Sequence, residues 1–230
     1  MKILAIETAT EACSVALYID GNIAERFEVA PRRHAELVLP MADALIAESG
    51  IAKSALDAIA VGRGPGAFTG VRLAIAMAQG LALALDRPVV PVSTLAAIAL
   101  GAAAHRGSTV LAAIDARMGE LYAGTFAVDG DGLVQAIGEE ILVKPDALAR
   151  PEGDVVGIGS GFATYGDVLS ARLAPLVAVD GEALPHASAI AKLAARAFAR
   201  GEAVDAGAAQ PVYLRDKVAL TLEEQGKSRG

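Results

Sequence analysis

Three short stretches hold the residue types that could do chemistry. Glu7-Thr8-Ala9-Thr10 ends an apolar run that begins at Lys2, so an acid and two hydroxyls stand in a turn between two strand patterns. Such a turn receives a phosphate tail when backbone N–H groups can approach it closely, which ordinarily asks for glycine. This one has none, and Thr8, Thr10 and Ser14 are left to donate through their hydroxyls. An ordinary polar turn accounts for the same residues. Asp115-Ala116-Arg117-Met118-Gly119-Glu120 closes a second apolar run. There Asp115 could place a magnesium ion beside a nucleotide, or it could pair with its charged neighbours. Gly157-Ile158-Gly159-Ser160-Gly161 lies between a strand pattern and a helix pattern, a setting in which backbone N–H groups meet nucleotides. Its spacing is not the dinucleotide fingerprint, and no P-loop Lys-Ser/Thr follows Gly66. Glu7, Thr8, Thr10, Asp115, Gly159 and Gly161 together make at most a degenerate nucleotide site.

Other chemistries find less support. His34, His105 and His186 are scattered, with no i, i+3 or i+4 pair to hold a metal. No nucleophile elbow surrounds Cys13 or any serine, so no catalytic residue is assigned, and no metal or cofactor is expected. A single cysteine excludes a disulfide framework and fits a reducing cytoplasm. The net charge of −7, from 27 acidic against 20 basic residues, opposes tight direct binding of a phosphate backbone. Aromatic residues at 4% and the absence of Trp oppose a base-stacking platform.

The elements that must position these residues repeat. Strand patterns at 2–7, 13–19 and 23–29, with a hairpin signal at Asp20-Gly21, are matched by 110–114, 121–128 and a third strand expected over 134–143. Glu7 and Asp115 are separated by nearly the same interval as Gly21 and Gly130, which points to a duplicated lobe. Each trio leads into alternating helices and strands: helices over 35–49, 69–85 and 94–104 with strands at 56–61 and 89–92, then helices near 146–149, 164–171 and 186–200 with strands at 155–157 and 176–179. Pro40 is expected to fix the start of the first helix or to kink it. Mixed sheets flanked by helices follow. The expected division is a first lobe over 1–104, a second over 105–215 and a flexible polar tail over 216–230.

The helix from Thr69 to Leu85 is the strongest physical feature. Arg72 is its one charge and Gln79 its only later polar side chain, whereas a helix resting on a sheet needs only one apolar stripe. A second face must be covered by a neighbouring helix or by another protein. Leu73, Ala76, Met77 and Gly80, with the stripe Leu37, Val38, Met41 and Leu45, are the expected docking surface. The run is interrupted by Thr69, Gly70, Arg72 and Gln79, and a buried helix explains it better than a membrane span. The amino-terminal apolar run is too short for a signal-peptide core.

Arg63-Gly64-Pro65-Gly66-Ala67-Phe68-Thr69-Gly70-Val71-Arg72 resembles a signature of the TsaB (YeaZ) family, subunits of tRNA threonylcarbamoyladenosine biosynthesis. Ile6-Glu7-Thr8-Ala9-Thr10, Arg33-His34-Ala35-Glu36, Asp115 to Glu120 and Pro211-Val212-Tyr213-Leu214-Arg215 agree in the same order along the chain. The resemblance implies the two-lobed, duplicated actin/sugar-kinase/Hsp70 (ASKHA) fold, in which these turns would face a nucleotide. It implies a non-catalytic subunit that pairs with the catalytic homologue TsaD through first-lobe helices, forms a homodimer when alone, engages the ATPase TsaE and meets tRNA only through the complex. TsaD carries a His-x-x-x-His metal motif after the strand equivalent to 89–92. Here Thr94 and Ile98 occupy those places, and neither suits a transition metal. A small-molecule kinase or ATPase of the same superfamily, using Glu7, Asp115 and the 157–161 loop, is the alternative. A glycoprotease-like hydrolase is a further one, for which the sequence offers no protease chemistry.

Overall fold

The computed structural model describes residues 1–215; the segment expected to be a flexible tail, 216–230, lies outside the described residues. The chain opens with β1 (Lys2–Glu7), β2 (Ala12–Ile19) and β3 (Asn22–Val29), joined as an antiparallel meander. The β2–β3 turn needs a left-handed backbone at both central residues, which Asp20 (φ 47°) and Gly21 (φ 97°) supply. Next come α1 (His34–Ser49), β4 (Ala58–Gly62), α2 (Phe68–Leu85), β5 (Val89–Val92) and α3 (Thr94–Ala99), the last running into a short 3-10 turn. The second half contains β6 (Thr109–Arg117), β7 (Glu120–Val128), β8 (Val134–Ala136), β9 (Ile141–Val143), β10 (Val155–Ile158), α4 (Ser160–Thr164), α5 (Gly166–Leu173), β11 (Leu176–Asp180) and α6 (Ala187–Ala199).

The two sheets correspond strand for strand. The first has the order β3-β2-β1-β4-β5 and the second β8-β7-β6-β10-β11, with β9 also on β7. In each, the central strand is antiparallel to the meander and parallel to the next strand after a crossover. This is the two-lobed, mixed-sheet, actin-like architecture that the resemblance implied, and the duplication read from the sequence is present in the topology.

Burial on both faces explains why the central strands read as unbroken apolar runs. Leu4, Ile6, Val15, Ile59 and Val61 face α1 and α2, while Ile3, Ala5, Ala16, Ala58 and Ala60 face the opposite way. That opposite face is covered by α6, while α3 lies against β6, β7 and β8 of the second sheet, in a shared core that includes Val110, Ala112, Ile114, Phe126 and Val156. The far face of the second sheet lies under α4 and α5, through Leu111, Ala113 and Leu121 against Phe162, Leu169 and Leu173.

Several expectations are corrected. A division of the chain at 104/105 does not describe its packing, because α6 returns to the first sheet, Val204 pairs with Val89, and Ala206 and Ala209 join the core beneath α2. The strand expected over 134–143 is two short strands on either end of β7, separated by a loop that carries Glu140. The helix near 164–171 is broken into α4 and α5 at Tyr165, and the stretch near 146–149 is a single 3-10 turn at Pro145–Ala147. Pro40 lies inside α1, with its ring exposed, and does not begin it.

Candidate functional site

Glu7 ends β1 and is wholly buried. One carboxylate oxygen accepts the Ala9 N–H at 2.6 Å and the other the Thr94 hydroxyl at 2.9 Å. A Cβ at Gly62 would fall on the carboxylate, so the glycine that ends β4 makes room for it. Burial pushes the Glu7 carboxyl up to about 7, against the pull of hydrogen bonds from Ala9, Thr94 and Thr8. The Thr8 hydroxyl is buried too and donates to the Gly70 carbonyl at 2.8 Å, tying the turn to the start of α2. Thr10 stays at the surface of the turn, where its hydroxyl accepts the Ala12 N–H at 3.3 Å.

The matching turn of the second lobe is built differently. Asp115 accepts the Arg117 N–H at 2.8 Å, faces the Arg117 guanidinium at 3.1 Å and receives the Tyr165 hydroxyl at 3.3 Å. Its own N–H donates to the Ser160 hydroxyl at 3.2 Å. Gly159 (φ 102°) seats α4 on β6, for a Cβ there would come within 2.5 Å of the Ala113 carbonyl oxygen. Gly161 is buried against Leu121 and Ala113. The two glycines serve close packing and do not form an open cradle.

The turns meet at a cleft of about 770 Å³ between the lobes. Of the six residues named for a nucleotide site, only Thr10 and Asp115 line it; Glu7, Thr8, Gly159 and Gly161 are withdrawn into packing. Sequence reasoning did not anticipate much of the lining: Arg32, His34, Phe68, Met118, Tyr213 and Arg215. Arg32, Arg117 and Met118 hold left-handed backbones, at φ of 71°, 63° and 57°, a strain that local structure must hold in place. Arg215 is paired with Glu120 at 2.6 Å, and Arg72 stacks on Phe68 at 3.7 Å while donating to the Tyr213 hydroxyl at 2.6 Å. Glu140 reaches across from the second lobe to Arg63 at 3.1 Å and accepts the Ser93 hydroxyl. The basic run Arg32-Arg33-His34 was a signal for part of this lining. The partners of Arg72 and Arg63, far along the chain, left none.

Thr94 is committed to Glu7, and Ile98 is buried in the core between the lobes. Among the described residues, no group of three or more His, Cys, Asp or Glu could hold a metal ion.

A second surface lies on the outside of the first lobe. One side of α2 rests on the sheet through Val71, Ala74, Ile75, Ala78 and Ala82. The other side carries Ala76 and Gly80, both exposed, Leu73 and Met77, half-buried, and Leu83, 70% exposed. By length and composition alone α2 could cross a membrane, with 18 residues and a mean hydropathy of 1.6; here it lies along a sheet. The α1 stripe needs correction. Val38 and Leu45 are buried against the sheet and cannot meet a partner, because they are what holds the helix in place. Leu37 and Met41 are half-buried, and Leu39 extends the exposed surface.

A model of the TsaD family, described as tRNA N6-adenosine threonylcarbamoyltransferase, matches residues 26–221. The chain is 44% identical over 225 residues to the tRNA threonylcarbamoyladenosine biosynthesis protein TsaB of Escherichia coli, covering 95% of this chain and 96% of that protein. It is 36% identical over 228 residues to the protein of the same name in Haemophilus influenzae, covering 95% of each. Among solved structures, YeaZ from Pseudomonas aeruginosa superposes with a TM-score of 0.86 at 48% identity, covering 93% of this chain and 99% of that one.

Proposed function

The chain belongs to the TsaB (YeaZ) family of tRNA threonylcarbamoyladenosine biosynthesis proteins, and from that premise we propose that it is the non-catalytic partner subunit of the modifying complex. It acts in the cytoplasm by docking the catalytic homologue TsaD on the outer face of α2 and the accessible edge of α1. It supports the ATPase TsaE in the assembly, forms a homodimer when TsaD is absent, and meets tRNA through the complex alone. The observation that carries this reading is the apolar outer face of α2, with Ala76, Gly80 and Leu83 turned away from the chain's own core. Small residues at 76 and 80 let a partner helix come close, where dispersion contacts are many. The reading also draws support from Glu7, whose carboxylate is enclosed by Gly62, Thr94 and the Ala9 N–H and does not line the cleft.

The test is binding of purified TsaD to the double variant Ala76→Asp/Leu83→Asp, alongside the parent. Burying two unpaired carboxylates in an apolar contact should weaken the complex by at least about a hundredfold. Unchanged affinity in a folded variant removes α2 from the interface.

A second reading, a kinase or ATPase, is favoured by one observation: Thr10, Asp115 and Ser160 do line the cleft. Calorimetry with ATP and magnesium separates the two, since an enzyme would bind tightly and lose turnover in Asp115→Ala.

A further inference from the structure

β3 is the outer strand of the first sheet, and its far edge has no paired strand among the described residues. The direction of its backbone groups is fixed by its neighbour. β2 and β3 pair without a break from Ala12 opposite Val29 to Ile19 opposite Asn22. Just beyond the ladder, the Ala30 N–H donates to the Glu11 carbonyl at 3.0 Å. In an antiparallel ladder every second pair exchanges N–H and C=O groups. Glu28, Arg26, Ala24 and Asn22 therefore bond inward to β2, and Val29, Phe27, Glu25 and Ile23 present their backbone groups to the open edge.

An open row of this length is a template for another strand unless charges guard it. Glu25 does not guard it, because its carboxylate is drawn toward α6. There it accepts the Ser14 hydroxyl at 2.7 Å and the Ser188 N–H at 3.0 Å, and meets His186 at 3.1 Å. Arg26 and Glu28 remain, both on the α1 side of the strand, and their signs are opposite.

We propose that β3 pairs antiparallel with β3 of a second copy of this chain, Phe27 opposite Phe27, so that the two first-lobe sheets become one continuous sheet. In this register the outward backbone groups of Phe27 meet their own counterparts, and Glu25 lies opposite Val29. Arg26 stands opposite Glu28 of the second copy, and the two-fold axis makes that pair twice. Registers centred on Glu25, Arg26 or Glu28 set like charges face to face, which is destabilising. A slip that sets an outward residue opposite an inward one breaks the ladder. Phe27 and Val29, 37% and 55% exposed, add apolar contact on the other face. The ion pairs that Arg26 makes with Glu48 and Glu28 with Arg33 are both exposed. Exchanging such pairs for intermolecular ones is nearly neutral, since each is worth about 0–1 kcal/mol.

This pairing goes beyond docking through α2 and is tested apart from it, by sedimentation equilibrium in a chain carrying Ala76→Asp. Arg26→Glu and Glu28→Arg, each alone, set like charges opposite one another twice and should weaken self-association by about tenfold. Mixing the two variants sets opposite charges together again and should restore association to within about threefold of the parent. Amide exchange gives a backbone reading: the Glu25, Phe27 and Val29 amides slow as concentration rises, and those of Arg26 and Glu28 do not. A parent that remains monomeric up to about 1 mM, a charge reversal without effect, or a mixture that fails to recover would overturn the proposal.

Discussion

The outer face of α2 and the cleft between the lobes differ in what their side chains already touch. In the cleft, charges meet charges: Asp115 meets Arg117, Arg215 meets Glu120, and the strap at 212–215 is tied down through Arg63 and the Tyr213 hydroxyl. On α2, Ala76, Gly80 and Leu83 face away from every apolar cluster among the described residues. Polar groups that satisfy one another gain little from a ligand, which must replace bonds already made. Exposed apolar surface gains from any partner that removes it from water, at about 25 cal/mol per Å². On the proposed reading, the first arrangement holds a shape and the second recruits.

The sharpest way to break this contrast is to place the same charge on the two sides of α2. Ala78→Asp puts a carboxylate into the core beneath the helix, where Ala78 is fully buried, and should destabilise the fold by about 3–5 kcal/mol. Ala76→Asp lies two positions away on the exposed side and should cost about 1 kcal/mol, most of it helix propensity. Denaturant melts of the two variants measure the difference. Equal losses would mean that the outer face is covered within the chain, and its availability for docking would fall.

Much of this geometry is legible in the sequence, and the part that is not has a physical cause. Unbroken apolar runs place β1, β2, β4 and β6 within three residues, because a strand buried on both faces leaves no polar positions to interrupt them. Periodicity also marks Val38 and Leu45 as apolar helix positions, but it does not say whether the covering surface belongs to the same chain; they prove to lie under α1. The return of α6 to the first sheet is a long-range choice, sealed by Glu25 reaching Ser188, and no local spacing encodes it. In the candidate site the acids were recognised by position. Glu7 became a core residue because of Gly62 and Thr94, contacts far along the chain that a turn read by itself cannot disclose.

The Glu7 carboxyl sharpens the contrast from the other side, for it belongs by sequence to the cleft and by burial to the core. Its folded value of about 7 lies above the ordinary 4.5, so between those two values the folded protein holds a proton that the unfolded chain releases. The stability this contributes is fully present below about pH 4.5 and is lost as pH rises through 7. Glu7→Gln, which keeps an acceptor for the Ala9 N–H, should remove that slope. It should leave the variant more stable than the parent at pH 8 by on the order of 3 kcal/mol at most. Thermal melts from pH 5 to 8 read the effect, and a parent whose stability is flat over that range would place Glu7 in contact with water.

Asp115→Ala should have the smallest effect, and its smallness is informative. The carboxylate holds the Arg117 N–H and is shielded from solvent, but the guanidinium it faces is 86% exposed, so the ion pair itself is worth about 0–1 kcal/mol. Removing it frees Arg117 and leaves the Tyr165 hydroxyl to water. If the cleft only holds a shape, the variant should melt within about 1 kcal/mol of the parent and bind TsaD with unchanged affinity. If the cleft recruits a ligand, Asp115 is the lining acid best placed to organise a cation beside it. A loss of TsaD affinity by tenfold or more, about 1.4 kcal/mol, would then show that the cleft and the outer face of α2 act together.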